Sequence, residues 1–251
     1  MTPVYELLQL SDTHIFASRD EVREDVNTYE CFVRTLEHAL ANSAPDVVLL
    51  TGDLAEDYSR DAYETIRGLL EGVGHPVYCL PGNHDHLGRM VETLSRPPFH
   101  FMETVRLGPW LLPLLSTWDG DRGGGRLGEE ELTRLRTALD GTDADHVMIC
   151  LHHCPIDVGS AWLDNVGLDD GMELLELVRG YPRVRAVVCG HIHQELDTVV
   201  KGVRLIGTPS TCYQFKPNSE RFTLDDKGPG YRVLSLFPDG HIETRVGRVT
   251  D

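Results

Sequence analysis

The chain has few basic residues and no long apolar run. Its 23 Lys and Arg residues stand against 40 Asp and Glu residues, which gives a formal net charge of −17. Nucleic acids and anionic membrane surfaces are bound by basic patches, so this balance argues against both as partners. No apolar run approaches the length needed to cross a bilayer. The opening residues, MTPVYELLQL, lack the features of a signal peptide, so we expect a cytoplasmic protein.

Cysteine is present, but without the CxxC spacing of many metal-binding and redox motifs. Three cysteines, Cys79, Cys150 and Cys189, lie in or beside apolar strand-like runs, where a thiol behaves as a small buried hydrophobe. Without a secretion signal we expect reduced thiols and no disulfide framework. The full set is Cys31, Cys79, Cys150, Cys154, Cys189 and Cys212.

No repeat, low-complexity segment or long linker divides the chain, so we expect one domain over residues 1–251. Apolar runs predict strands at 4–10, 46–50, 76–80, 110–116, 146–151, 184–189, 198–207 and 231–247, the last a hairpin about Asp239-Gly240. Apolar residues at helical spacing predict helices at 29–42, 60–73, 129–139 and 171–179. An alternating beginning and an antiparallel ending predict an α/β fold with two packed sheets and helices outside.

Five of the predicted strands end in side chains with nitrogen or oxygen lone pairs. Each has an ordinary explanation: Asp12 could cap a helix, Asp53 could hold a turn, and His152 could be a core histidine. Five such endings together favour a shared site, because ligands of α/β sheets gather at the carboxyl ends of strands. The residues are Asp12 and His14, Asp53, Asn83 with His84 and Asp85, His152 with His153, and His191 with His193.

Glycines accompany these strand ends. Gly52, Gly82 and Gly190 stand directly at strand exits, where a tight turn or a close approach of the backbone to a ligand favours glycine. Together with the lone-pair side chains, they predict a metal centre.

The motifs D-x-H, G-D, G-N-H-D, H-H and G-H-x-H, in this order, resemble those of the calcineurin-like metallophosphoesterases. The resemblance runs from QLSDTHIF to GTPSTCYQFKP and the final hairpin. The segments CGHIHQELD and PSTCYQFKP resemble the class III bacterial 3',5'-cyclic AMP phosphodiesterases in particular. The resemblance implies a four-layer α-β-β-α sandwich of two mixed sheets with flanking helices.

It also implies two divalent transition-metal ions, with Fe and Mn expected and Zn or Co as alternatives; a mixed N/O ligand set suits these ions better than Ca or Mg. Two such ions, about 3.5–4 Å apart, would generate a bridging hydroxide that attacks phosphorus in line and opens cyclic AMP to 5'-AMP. The implied ligands are Asp12, His14, Asp53 and His193 for one ion, and Asp53, Asn83, His152 and His191 for the other, with Asp53 bridging.

The charges of this ligand set suit a phosphodiester. Two ions bring a charge of +4, and only Asp12 and Asp53 among the ligands are anionic, because imidazole binds as the neutral form and Asn83 offers an amide oxygen. The remaining +2 matches one hydroxide and one phosphodiester monoanion. The same positive charge gives an anionic substrate a local target on an acidic protein.

Catalytic and substrate-binding roles also follow from the resemblance. It implies that His84 reaches the scissile phosphate and that Asp85 orients His84, while His153 packs beside a ligand. Aromatic residues, including Phe215, could stack on a purine, and Lys216 and Arg221 are further candidates for phosphate or subunit contacts. The expected substrate-binding residues are His14, Asp53, Asn83, His84, His193, Trp162 and Tyr213.

Two other functions stay open at this level. The same metal chemistry serves hydrolases of other phosphodiesters or phosphomonoesters, such as glycerophosphodiesters or nucleotide derivatives. Some proteins of this fold are non-catalytic scaffolds that bind other proteins, but a scaffold need not keep every ligand, and this chain has all seven positions. The sequence does not indicate the oligomeric state.

Overall fold

The protein is described here from a computed structural model that covers residues 3–120 and 122–250. Within these residues the strands are β1 (Tyr5–Leu10), β2 (Val22–Arg23), β3 (Val26–Asn27), β4 (Val47–Leu50), β5 (Val77–Cys79), β6 (Phe99–Phe101), β7 (Val105–Leu107), β8 (Trp110–Leu112), β9 (His146–Cys150), β10 (Val184–Cys189), β11 (Leu196–Val200), β12 (Val203–Gly207), β13 (Gly230–Leu236) and β14 (Ile242–Arg248). The helices are α1 (Thr28–Asn42), α2 (Arg60–Leu70), α3 (Leu87–Leu94), α4 (Gly128–Gly141), α5 (Ala161–Asp164) and α6 (Gly171–Val178).

Two six-stranded mixed sheets form the centre of the fold. The first has the strand order β14-β13-β1-β4-β5-β6, with β1, β4, β5 and β6 parallel, β13 antiparallel to β1, and β14 antiparallel to β13. The second has the order β11-β12-β10-β9-β8-β7, with β8, β9, β10 and β12 parallel. In each sheet four neighbouring strands are parallel, so their carboxyl ends lie at the same edge.

Three apolar clusters show that these sheets stack in four layers. One cluster lies between the sheets, where Leu7 and Leu49 of the first meet Met148 and Val188 of the second. A second joins α1, α2 and α3 to the outer face of the first sheet. The third joins α4, α5 and α6 to the outer face of the second sheet. The α-β-β-α sandwich implied by the sequence resemblance is confirmed.

Most predicted elements are present, and two differences have clear causes. The run predicted as one strand at 198–207 is a hairpin, because Lys201 and Gly202 both take positive φ, of 52° and 85°, and turn the chain. The strand predicted at 110–116 ends at Leu112, because Pro113 has no N–H to donate. Pairing then resumes as a single bridge from Leu114.

Short elements were missed by periodicity. Helix α3 has eight residues, and β6 and β7 have three residues each, which is too few repeats for a pattern to stand out. The buried free thiols are those of Cys79, Cys150, Cys154, Cys189 and Cys212. In the part of the chain that the structure describes, no helix has both the length and the apolar character needed to span a bilayer.

Candidate metal centre

All seven predicted ligands meet where the two sheets present the carboxyl ends of their parallel strands. Asp12 and His14 follow β1, Asp53 follows β4, and Asn83 follows β5 in the first sheet. The second sheet contributes His152 after β9, and His191 and His193 after β10. The layering of the fold therefore places ligands from both sheets opposite one another, as the strand endings predicted.

The first group of ligands consists of Asp12, His14 and His193. The Nε2 atoms of His14 and His193 are 3.2 Å apart, and Oδ1 of Asp12 is 3.4 Å from Nε2 of His193. The other ring nitrogen of each histidine faces an acceptor: Nδ1 of His14 is 2.6 Å from Glu56 Oε2, and Nδ1 of His193 is 2.8 Å from the carbonyl of Tyr213. Each Nδ1 therefore donates to its acceptor, and Nε2 is the nitrogen that each ring turns towards the other.

The second group shows the same arrangement around His152. Its Nδ1 donates to the carbonyl of Thr51 at 2.7 Å, so Nε2 is the nitrogen that faces Oδ1 of Asn83 at 3.2 Å and Oδ1 of Asp53 at 3.4 Å. Nδ1 of His191 is 3.2 Å from the same Asn83 oxygen. Its Nε2 is buried and has no hydrogen-bond partner among the described residues.

Asp53 faces both groups. Its Oδ1 lies 3.4 Å from Nε2 of His152, and its Oδ2 lies 3.9 Å from Nε2 of His14. Lone pairs that face each other in a buried space repel unless a cation lies between them. The donor set is mixed imidazole, carboxylate and amide oxygen, which suits a divalent transition metal. The residues present therefore fit the two ions that the sequence resemblance implies.

The carboxylates of the centre are held in the ionised form. Burial by itself would raise the pKa of Asp12, but the charges of His193 and other neighbours hold that pKa below its usual value. Burial opposes ionisation of Asp53 as well, and His152 and His84 outweigh it, so the pKa of Asp53 lies well below its usual value. Both side chains are therefore ready to bind a cation at neutral pH.

The histidines differ among themselves. Burial holds the pKa of His14 well below its usual value, and burial followed by the charge of His152 lowers the pKa of His191 to about 3. Burial disfavours the charged form of His152 too, but the Asp53 carboxylate outweighs it and raises the pKa of His152 to about 9. A metal ion at this group therefore has to displace a proton from His152.

The backbone is strained at these same positions. A left-handed conformation costs an L-residue about 1–2 kcal/mol, and such strain persists where the surrounding structure over-determines it. In this protein it recurs at the strand ends, where it turns successive side chains towards one point. Five of the seven predicted ligands have positive φ: Asp12 (55°), His14 (47°), Asp53 (52°), His191 (64°) and His193 (47°).

Two glycines at the strand exits are required by close approach. A Cβ atom at Gly190 would lie 2.0 Å from Oγ of Ser11 and 2.9 Å from Oδ2 of Asp12. A Cβ atom at Gly82 would lie 2.2 Å from Oδ1 of Asp53. Any side chain at these positions would push a ligand carboxylate out of place, so the prediction of close backbone approach is confirmed.

Glu56, which the sequence analysis missed, lies behind the ligands. Its Oε2 is 2.6 Å from Nδ1 of His14 and 3.3 Å from Nδ1 of His84, and its Oε1 pairs with the guanidinium of Arg23. Glu56 is 9% exposed, and its position three residues after Asp53 in GDLAED was the only available signal. Glu56 therefore occupies the orienting position that was predicted for Asp85.

Asp85 has a different role, which corrects the expectation that it orients His84. It is 1% exposed, and burial followed by the charge of Asp53 raises its pKa to about 6. Its carboxylate ties the loop after β5 to the loop after β4, so it shapes the site without contacting the imidazole. The carboxylate accepts hydrogen bonds from the backbone N–H groups of Leu54, Ala55 and Gly82 and from the phenol of Tyr63.

His153 packs beside the ligands, as expected. Its ring is buried, with Nδ1 at 2.8 Å from Oγ1 of Thr117 and Nε2 at 3.4 Å from the carbonyl of Gly123. Both ring nitrogens are thus satisfied by the protein. The ring centroid lies 4.4 Å from that of His191, so His153 packs against the ring of this predicted ligand.

A cavity of about 280 Å³ opens above the two groups of ligands. One side of it is aromatic: the ring of Trp162 lies edge-to-face against Phe215 at 4.8 Å and Phe222 at 5.1 Å. Phe222 is 46% exposed although it is a large apolar residue. The lining comprises His14, Arg23, Asp53, Asn83, His84, Gly123, Trp162, Leu163, Val166, His191, His193, Tyr213, Phe215 and Phe222.

The predicted substrate contacts divide into those that border this cavity and those that do not. Trp162 lies in its wall, whereas Lys216 and Arg221 are exposed and lie outside the lining. Tyr213 borders the cavity but is only 6% exposed, with its ring stacked on His14 at 5.7 Å and 19°. Tyr213 therefore supports a ligand imidazole, which corrects the expectation that its ring is free to stack on a base.

Arg23 and Phe222 are cavity residues that the sequence analysis did not single out. No motif contains either of them, and both lie outside the two large sheets: Arg23 is in the small hairpin β2–β3, and Phe222 is in the long segment before β13. Only the fold brings these segments to the metal centre.

Comparison with known proteins identifies the class of this chain. The sequence profile of the calcineurin-like phosphoesterases matches residues 5–195, which contain all seven predicted ligands. The chain belongs to the calcineurin-like phosphoesterase family. Its fold is similar to that of a dimetal phosphatase from Danio rerio, with a TM-score of 0.65, 16% identity, and coverage of 93% of this chain and 95% of that one.

Two curated bacterial relatives are more similar in sequence. The 3',5'-cyclic adenosine monophosphate phosphodiesterase CpdA of Vibrio vulnificus (strain CMCP6) is 38% identical over 246 residues, covering 97% of this chain and 90% of the relative. The protein of the same name from Escherichia coli (strain K12) is 38% identical over 247 residues, covering 98% of this chain and 90% of the relative.

The facing lone pairs generate a prediction about stability. Removing metal with a chelator should lower the melting temperature, because an ion present at about 100 times its Kd adds about 2.7 kcal/mol to stability. For a chain of this length that corresponds to roughly 5–10 °C. Differential scanning fluorimetry of stripped and Mn²⁺-reconstituted protein measures it. The shift should shrink in Asp53→Asn, and an equal melting temperature with and without bound metal would contradict the ligand assignment.

Proposed function

We propose that the protein is a two-metal phosphodiesterase that hydrolyses 3',5'-cyclic AMP to 5'-AMP. The observation that carries this proposal is the pair of ligand groups that share Asp53 beneath a cavity with one aromatic side. The names of the curated bacterial relatives support the choice of substrate.

In this proposal one ion is held by Asp12, His14, Asp53 and His193. The other is held by Asp53, Asn83, His152 and His191. When bound, the ions would supply a water of lowered pKa and positive charge against the phosphoryl oxygens. The protein holds the two carboxylates ionised and keeps His14 and His191 neutral, so these ligands bind without first losing protons.

His84 is the proposed general acid. It borders the cavity, its side chain is 30% exposed, and Glu56 accepts from its Nδ1, which leaves Nε2 as the nitrogen available to the substrate. The backbone N–H of His84 donates to Oδ1 of Asp53 at 2.8 Å, so the residue is fixed beside a ligand. A proton on Nε2 can then pass to the 3'-oxygen of cyclic AMP as the P–O bond breaks.

The aromatic side of the cavity is the proposed site of the purine. Phe215 is stacked on His193 at 4.0 Å and 15°, so its ring is already engaged, and Tyr213 is buried against His14. Trp162 and the half-exposed Phe222 remain as the surfaces that a flat apolar base can cover. Stacking on aromatic side chains is a general way of holding a nucleobase.

The activity itself is the first test. Protein stripped of metal and reconstituted with Mn²⁺ should cleave 3',5'-cyclic AMP to 5'-AMP with a kcat/KM at least equal to that for bis(p-nitrophenyl) phosphate, and the stripped protein should cleave neither. Chromatography of the 5'-AMP that is formed and absorbance of the p-nitrophenol that is released measure the two rates. Cleavage of the aryl ester alone would agree with the proposed metal centre but would contradict cyclic AMP as the substrate.

The acid–base role of His84 predicts a specific loss. His84→Ala should keep both metal ions yet lose about 10²–10⁴-fold in kcat, the usual range for a lost acid–base group. His86→Asn is a matched control, because His86 caps α3 with its side chain and Asn caps helices well. Metal content by plasma mass spectrometry separates the alternatives: loss of an ion from His84→Ala would assign His84 to coordination.

The aromatic side predicts discrimination by the base. Phe222→Ala should lower kcat/KM for cyclic AMP roughly 5- to 100-fold, because stacking one base on an aromatic residue is worth about 1–3 kcal/mol. It should not change hydrolysis of ribose 3',5'-cyclic phosphate without a base. Val199→Ala, at a site that is 65% exposed on β11, is the control. Equal losses on both substrates would show that Phe222 shapes the site without binding the base.

A further inference from the structure

The small hairpin β2–β3 brings a cation to the metal centre. Glu24 and Asp25 form its turn, both with positive φ, and the hairpin pairs Arg23 with Val26. Arg23 lines the cavity above the ligands and is the only Lys or Arg residue in the lining of that cavity. On a protein with a net charge of −17, a basic residue at this position indicates a functional role.

That cation is engaged with Glu56. Nη1 of Arg23 pairs with Oε1 of Glu56, whose side chain is 7% exposed, whereas the side chain of Arg23 is 36% exposed. A carboxylate this deeply buried needs a hydrogen-bonded partner of opposite charge. Arg23 pairs with Glu56 through its guanidinium, and His14 and His84 pair with it through their imidazoles.

The other oxygen of Glu56 serves two imidazoles at once. Oε2 is 2.6 Å from Nδ1 of His14 and 3.3 Å from Nδ1 of His84. Rotation of the carboxylate about its last bond would break both contacts together. The position of Oε1 fixes that rotation, and Arg23 fixes Oε1.

We propose that Arg23 is a positioning residue: its ion pair with Glu56 locks the carboxylate so that Oε2 holds His14 towards the metal and His84 towards the substrate. The inference rests on the proposed phosphodiesterase function. It assigns to the hairpin β2–β3 the task of holding the catalytic geometry from outside the two sheets. Because Arg23 acts through Glu56, its loss should slow turnover while leaving the binding of substrate almost unchanged.

A planar guanidinium suits this role better than an ammonium. Nη1 of Arg23 pairs with Oε1 of Glu56, and Arg23 borders the same cavity as Tyr213. A guanidinium offers several donors in a fixed plane, whereas a lysine offers one charge on a flexible stem. Arg23→Lys should therefore recover the charge and only part of the positioning.

The test compares three variants with the intact metal-loaded protein. Arg23→Met should lower kcat about 10- to 100-fold, the usual effect of losing a residue that orients a metal ligand. KM should stay within about threefold, as for a loss felt mainly in the transition state. The kcat of Arg23→Lys should lie between that of Arg23→Met and that of the unaltered protein. Arg19→Met removes the same charge from the segment just before the hairpin, where Arg19 lies 4.9 Å from the ring centroid of Tyr29, and should match the unaltered protein.

Three further measurements separate positioning from other roles. The Kd of 5'-AMP by calorimetry and the metal content should both be unchanged in Arg23→Met. Combined with Glu56→Gln, the Arg23→Met change should cost little more, because two residues that act as a unit give strongly non-additive losses. If Arg23→Met does not fold, the same cycle with Arg23→Lys carries the test.

Several results would overturn the inference. An unchanged kcat in Arg23→Met would contradict it. A raised KM and a weaker Kd for 5'-AMP, with kcat retained, would also contradict it and would make Arg23 a substrate contact. Loss of a metal ion or additive losses with Glu56→Gln would also contradict it. Each rate is measured with cyclic AMP and with bis(p-nitrophenyl) phosphate. A failure of the proposed substrate appears in the unaltered protein, whereas a failure of this inference appears only in the variants.

Discussion

The repulsion between buried lone pairs is the constraint on which the site depends. His14, His152 and His193 each donate one ring proton to a fixed acceptor of the protein, and each turns its remaining nitrogen towards other acceptors. Where no proton or metal ion lies between these atoms, the buried lone pairs that face each other repel. The same hydrogen bonds fix the orientation of each ring, so its other nitrogen is already placed to bind an ion.

The rest of the fold serves this convergence. Parallel strands occupy the centre of both sheets, so their carboxyl ends meet, and positive φ at Asp12, Asp53 and His191 turns the chain sharply enough to point side chains inwards. The apolar layer between the sheets holds the two halves of the ligand set together. The stability of that core offsets the strain at the strand ends.

Charge explains how an acidic protein can accept an anionic substrate. The net charge of −17 repels a phosphodiester at long range, and only Asp12 and Asp53 among the seven proposed ligands are anionic. Two divalent ions would leave this small region positive. Arg23 also borders the cavity, but Glu56 pairs with its charge, so Arg23 adds little net positive charge there.

The sequence could predict those features of the fold and the site that depend on local patterns. Five strands ending in Asp, His or Asn, three of them beside a glycine, predict convergence because parallel strands share an edge. Glu56, Arg23 and Phe222 could not be predicted in this way, because each reaches the site through a tertiary contact. The role first assigned to Asp85 shows the same limit: adjacency to His84 suggested a contact, but the chain turns Asp85 towards the backbone of Leu54 and Ala55.

The central claim is that the facing lone pairs are ligands of two ions that share Asp53. Anomalous diffraction from crystals of the Mn²⁺-reconstituted protein tests it most directly. We expect two peaks for each chain, one between Asp12, His14 and His193 and one between Asn83, His152 and His191, with Asp53 in contact with both. A single peak, or peaks away from these residues, would contradict it.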